Sequence, residues 1–188
     1  MILLWKDKEQ QILSLFKKGH HQAMNKLYRE YADYLTGVCT RYISNEDTLK
    51  DVLQESFIKI FTQIHQFEYR GKGSLKAWIT KIVINEALIQ LQKDKMFFTF
   101  LQGPTLNELP DEEPDTDDLN AETLLSFVRQ LPPGYRAVFN LYVIEEKSHK
   151  EIAEILHIKP DTSASQFARA RQMLAKMIQT YKHKTQDR

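Results

Sequence analysis

Apolar residues recur at three- and four-residue steps through most of this chain, and no stretch shows a convincing strand-like alternation. Between residues 46 and 66, Leu49, Val52, Leu53, Phe57, Ile60, Phe61 and Ile64 make one apolar stripe on a helix. Residues 75–92 repeat the scheme with Leu75, Trp78, Ile79, Ile82, Val83, Leu88 and Leu91. Gly71 and Gly73, with Lys72 and Ser74, punctuate the gap. An earlier tract carries Ile12, Leu15, Phe16, Leu27, Tyr28, Tyr31, Leu35 and Val38, so the first part of the chain reads as a bundle of about four helices.

A second helical part begins near Leu119. Leu124, Leu125, Val128 and Leu131 form a short stripe, stopped by Pro132-Pro133-Gly134. Pro133 suits the first turn of the next helix, where its missing N–H costs nothing. That helix is expected to bury Val138, Leu141 and Tyr142. Ser148 and Glu151 stand at capping-box spacing before Ile152, Ala153, Ile155 and Leu156. After the turn His157 to Pro160, Asp161 or Thr162 is expected to cap a long last helix striped by Phe167, Ala170, Leu174, Met177, Ile178 and Tyr181.

Charge separates the two parts. Residues 1–102 carry 15 Lys and Arg against 11 Asp and Glu, and residues 121–188 carry 11 against 7. Residues 103–120 carry 7 acids and no base, within a net charge of +1 for the chain. Pro104, Pro110 and Pro114 recur there, and like charges with few apolar groups cannot offset the entropy of folding. The expected organisation is therefore all-α: a helical bundle over 1–98, an extended acidic linker over 99–118, and a second helical domain over 119–188. Two basic blocks suit polyanionic partners, while the linker would be repelled by them.

Composition narrows the chemistry. Cys39 is the only cysteine, so no disulfide framework or thiolate cage is possible within the chain, and a small buried side chain is expected there. The six histidines show no HExxH pair, and no glycine-rich phosphate loop occurs. No catalytic residue, metal site, cofactor or small-molecule substrate is therefore predicted. Met1-Ile2-Leu3-Leu4-Trp5 is too short an apolar run for a signal peptide or a membrane span, so a cytoplasmic protein is expected.

Two short helices joined by a tight turn, with small Ala153 at the centre of the first and Ile158 in the turn, match a helix-turn-helix. On the last helix, Ser165, Gln166, Arg169, Gln172 and Lys176 occupy the face away from Phe167 and Leu174. Such side chains bond base edges or phosphates, and none is acidic.

The run Leu131 to Tyr142, then Ser148 to Ala153, then Thr162 to Arg171 resembles region four of bacterial extracytoplasmic-function sigma factors, a group of the sigma-70 family. That region binds the minus-thirty-five element of a promoter. The resemblance implies that Lys150, Thr162, Ser165, Gln166, Arg169 and Arg171 meet this element. Ala164 stands where a cation is common and Ser163 where an aliphatic is frequent, which shifts base reading onto Ser165, Gln166 and Arg169 and leaves Arg171 partly structural or on the DNA backbone.

Asp51 to Phe57 resembles the polymerase-binding helix of region two in the same group. Asp51, Gln54, Glu55 and Ile58 lie at neighbouring helical positions, a strip suited to a basic partner helix. Gly73 to Asn85 is similar to the promoter-melting segment, which implies minus-ten contacts by Lys72, Ser74, Trp78, Lys81 and Asn85. Trp78, Lys81 and Asn85 share one helix side, offering an aromatic, a cation and an amide; Trp78 at this spacing serves equally as core. The loop Tyr69 to Ser74, mobile in composition, is where a flipped base would be captured. Ile89 and Gln92 replace an Asp and an Arg-rich run, which should weaken phosphate binding.

The resemblance implies core RNA polymerase and promoter DNA as partners, an anti-sigma factor that is often membrane-anchored, association with the nucleoid through polymerase, and a linker that follows the RNA exit path. The alternative is a helix-turn-helix regulator that does not bind core polymerase.

Overall fold

The computed structural model describes residues 7–93, 97 and 119–186. In chain order these form α1 (Lys8–Lys17), α2 (Gln22–Thr40), α3 (Glu46–Gln63) with a 3₁₀ turn at Ile64–Gln66, and α4 (Ser74–Gln92). They continue with α5 (Ala121–Gln130), α6 (Pro133–Phe139) running into a π turn at Asn140–Ile144, α7 (His149–Leu156) and α8 (Pro160–Gln186). There is no strand among the described residues, and the fold is all-α as its apolar periods require. Met1 to Trp5 and the expected linker over 99–118 lie outside the described residues.

The chain divides into two compact units, Met1–Ala87 and Leu88–Arg188. In the first, α1, α2, α3 and the 3₁₀ turn contact one another. Its buried side chains include Ile12 of α1, Leu27, Leu35 and Val38 of α2, Val52 and Ile60 of α3, and Leu75, Ile79 and Val83 of α4. Each such side chain contributes about 1.5–3 kcal/mol by leaving water. Cys39 is buried with them, and burial pushes its thiol up to about 12, which keeps it protonated. Asn45 starts α3 by accepting the Thr48 N–H at 2.9 Å, a cap that stabilises a helix by about 1 kcal/mol.

In the second unit, Phe127, Val128 and Leu131 beside α5 pack with Ala170, Leu174 and Ile178 of α8. Asn120 caps α5, and Ser148 with Glu151 completes the capping box of α7. Arg136 is buried, and its Nη1 donates to the Arg129 carbonyl at 2.7 Å, joining the end of α5 to α6. Burial lowers its pKa to about 10, leaving it a cation at neutral pH. No described helix is long and apolar enough to cross a membrane.

Two local expectations are corrected. Tyr142 is 39% exposed, because the π turn interrupts the period on which its burial was counted. Glu145 N–H donates to the Asn140 carbonyl at 3.0 Å, and this wider turn rotates the following positions off the α-helical stripe. The last helix begins at Pro160, ahead of the expected caps Asp161 and Thr162. Proline is favoured in a first turn, and Ser163 N–H already donates to the Lys159 carbonyl at 3.1 Å.

Candidate functional site

Three surfaces were anticipated, and α3 presents the first. Val52, Ser56, Phe57 and Ile60 turn into the core, with the Ser56 hydroxyl satisfied by the Val52 carbonyl at 2.7 Å. That orientation leaves Asp51, Gln54, Glu55 and Ile58 exposed together, Ile58 by 47%. None of the three polar side chains has a hydrogen-bond or ion-pair partner among the described residues. An acid, an amide, an acid and an apolar side chain are thus available along one face, without a desolvated charge to repair first.

The second surface joins α4 to the loop before it. Lys72, Lys81 and Asn85 are exposed, and Trp78 is half-buried against Phe67 with ring centroids 5.2 Å apart. Trp78 therefore combines core packing on one side with a partly open indole. Lys59 of α3 pairs with Glu86 of α4 at 2.6 Å, one residue past Asn85. Ser74 is partly covered. Its hydroxyl accepts the Arg70 N–H at 3.2 Å and donates to the Gly71 carbonyl at 2.6 Å, so it shapes the turn.

The turn itself uses backbone that only glycine enters freely: Gly71 has φ 121° and Gly73 φ 91°. The loop, mobile in composition, is tied at both ends by bonds to the start of the chain. Tyr69 donates to Asp7 at 2.6 Å, and Gly73 N–H donates to Glu9 at 3.0 Å. The hydrogen bond from Tyr69 holds the Asp7 carboxyl below its usual range, and the same bond raises Tyr69. Sequence reasoning passed over Asp7 and Glu9, whose partners lie some sixty positions away (62 for Asp7, 64 for Glu9).

The third surface is the helix-turn-helix. α7 buries Ile152, Ala153 and Leu156 and ends at His157, whose φ of 56° reverses the chain towards α8. Ile158, expected to plug the pair, is half-buried. Lys150 is exposed, while Thr162 and Ser165 are partly covered, and the Ser165 hydroxyl donates back to the Thr162 carbonyl at 3.0 Å. The expected solvated reading strip is corrected at its centre, where Gln166 is 1% and Arg169 9% exposed. Gln166, one step of three from buried Ser163, sits nearer the inner stripe than an opposite-face assignment allows, whereas Arg169, two such steps away, lies on the opposite side by period and is covered all the same. Arg171 is half-buried beside Phe139, Leu174 and Ile178, consistent with a partly structural side chain.

His149 was not anticipated as a structural residue. Its Nδ1 lies 2.9 Å from the Ser163 hydroxyl, and its ring stacks on Tyr142 at 4.6 Å. Tyr142 in turn meets Phe167 at 4.3 Å. This cluster ties the start of α7 to the first turns of α8, and burial lowers the His149 pKa. No group of three or more His, Cys, Asp or Glu side chains could hold a metal ion among the described residues.

Comparison with known proteins assigns both units. The family described as Sigma-70 region 2 matches residues 27–96, and Sigma-70, region 4 matches residues 121–174. The ECF RNA polymerase sigma-E factor of Haemophilus influenzae is 28% identical, with 91% of this chain and 95% of that protein covered. The RNA polymerase sigma-H factor of Pseudomonas aeruginosa is 26% identical over 94% of this chain and 97% of its own length. The ECF RNA polymerase sigma factor SigW of Bacillus subtilis is 28% identical over 86% of this chain and 92% of its own.

Proposed function

This chain belongs to the extracytoplasmic-function group of the sigma-70 family, and from that premise we propose that it binds core RNA polymerase, recognises the minus-thirty-five and minus-ten elements of promoters, and assists promoter opening. The observation that carries the reading is the exposed strip Asp51, Gln54, Glu55 and Ile58, in a unit that matches region two. A helix-turn-helix alone would equally suit a simple regulator; a docking strip beside a strand-binding face suits an initiation factor.

In this mechanism the strip on α3 docks on polymerase through charge-assisted hydrogen bonds around the apolar Ile58. Lys150 and the start of α8, with Thr162, Ser165, Gln166, Arg169 and Arg171, approach the minus-thirty-five element, with Arg169 reaching bases once it is uncovered. Lys72, Lys81 and Asn85 hold the opened minus-ten strand, and the open side of Trp78 stacks on a base, a contact worth about 1–3 kcal/mol. Ser74 acts through the turn it closes. Residues 1–98, 99–118 and 119–188 serve as region-two domain, linker and region-four domain, the acidic linker following the path of the nascent RNA. An anti-sigma factor is the expected silencing partner, and the chain works in the cytoplasm, on the nucleoid when bound to polymerase. As an initiation factor it lends specificity to the polymerase and performs no chemistry of its own.

Abortive transcription by purified core polymerase, with and without this chain, on the fragment upstream of its own gene tests the reading. Promoter-dependent product that requires the chain supports it. Failure to bind core polymerase would instead favour the helix-turn-helix regulator.

A further inference from the structure

We propose that α1 is a positioning device for the loop between α3 and α4, in which Asp7 and Glu9 hold residues 69–76 in the shape that meets the opened promoter strand. The proposal rests on the assignment of that loop to strand capture and goes beyond it, because α1 precedes residue 27, where the match to region two begins.

Glu9 is only 5% exposed, yet its carboxylate is fully used. Gly73 N–H and Leu75 N–H donate to one oxygen at 3.0 and 3.2 Å. Lys76 N–H and the Tyr31 hydroxyl donate to the other at 3.1 and 3.4 Å. Three of these donors are backbone amides at or just before the first turn of α4, of the kind an N-cap side chain ordinarily satisfies. Here the cap arrives from a different helix, and its negative charge meets the positive end of the α4 dipole. Asp7 grips the other end of the loop by accepting from Tyr69 at 2.6 Å, while it caps α1 through the Glu9 N–H at 3.2 Å. Lys72, between the two grips, stays exposed. A loop with two glycines at positive φ would otherwise sample many shapes, and binding a strand would have to order it. Asp7 and Glu9 do that ordering in advance.

The test uses the full chain assembled with core polymerase and the variants Asp7→Asn, Tyr69→Phe, Glu9→Gln and Glu9→Ala. The probe is the non-template strand of a promoter that the transcription assay shows to be opened, labelled for fluorescence anisotropy. Glu9→Gln should weaken strand binding about tenfold, and Asp7→Asn or Tyr69→Phe about threefold, with core affinity unchanged. Because Asp7 and Tyr69 form one bond, their double variant should be no weaker than either single one. Amide exchange at Gly73, Leu75 and Lys76 should rise about tenfold in Glu9→Gln, while amides in the middle of α2 keep their protection.

Strand affinity within twofold of wild type in all variants would overturn the proposal. So would parallel loss of strand and core binding together with the melting temperature, since that describes a merely structural carboxylate. If Glu9→Ala fails to fold, the Asp7 and Tyr69 variants still decide. If the wild-type holoenzyme binds no strand, the reading of the loop's function fails, and amide exchange separately decides whether α1 positions the loop.

Discussion

The docking strip on α3 and the reading face on α8 are both rows of polar side chains at helical spacing, yet they stand differently in the fold. Asp51, Gln54, Glu55 and Ile58 are all exposed, whereas Gln166 and Arg169 are buried and Ser165 returns its hydroxyl to its own helix. The α3 strip lies clear of a compact inner row, Val52, Ser56, Phe57 and Ile60. On α8 Arg169 is buried as well as Ser163, Gln166, Ala170, Leu174 and Ile178, which makes the covered side of that helix wider. The contrast teaches that a helical period assigns residues to a face, while the packing around the helix decides whether that face meets solvent.

Charge reversal on the exposed strip should produce the largest effect. Asp51→Lys with Glu55→Lys is expected to weaken core polymerase binding about 100-fold, because close charge pairs in an interface contribute several kcal/mol. Binding of duplex minus-thirty-five DNA should be unchanged, and anisotropy titrations with each partner would show the separation. Equal loss of both would mean that α3 supports the fold rather than an interface.

Next in size is Arg169→Ala, expected to cost about 1–3 kcal/mol of promoter discrimination if the guanidinium comes out to a base pair. Footprinting on cognate and mutated elements measures this. Unchanged discrimination would place Arg169 with the structural residues and widen the contrast between the two helices. Gln166→Met sharpens the same comparison: the volume-conserving apolar side chain should keep the fold and lower specificity about fivefold, the loss of one amide contact to a base. That loss would show that Gln166 leaves its buried position to read DNA, and unchanged specificity that it stays there.

The smallest effect concerns His149. Burial depresses its pKa, so the folded unit favours the neutral ring. The stability this confers is complete above the unfolded value near ~6.5 and is lost as pH falls through the lowered folded value. Thermal melts of the second unit should therefore lose a little stability between pH 7.5 and pH 5, and His149→Gln should flatten that dependence. A dependence that survives the substitution would assign it to another group.

Much of this architecture was legible in residue order. Stripes of three- and four-residue period predicted the helices, and Ser148 with Glu151 predicted a cap that the structure contains. Pro133 marks the first turn of α6 as expected. These are local matters, decided by side chains within one or two turns of each other. Tyr142 shows where that logic stops, since a π turn has no spacing signature and shifts every position after it. Ser163 is more instructive still. It stood out as a polar residue in an aliphatic place, and its partner proved to be His149, fourteen positions away on another helix.

The sequence by itself determined an all-α chain in two parts, the order of its two regions, and the residue types available on each helix face, because helical periodicity, capping and charge act over short stretches of chain. Only the tertiary structure decided that Gln166 and Arg169 are covered, that Trp78 is half-packed on Phe67, and that Glu9 starts α4. Burial and long-range hydrogen bonds depend on which segments meet in space, and the pairing of Glu9 with Gly73 leaves no periodic trace in either segment.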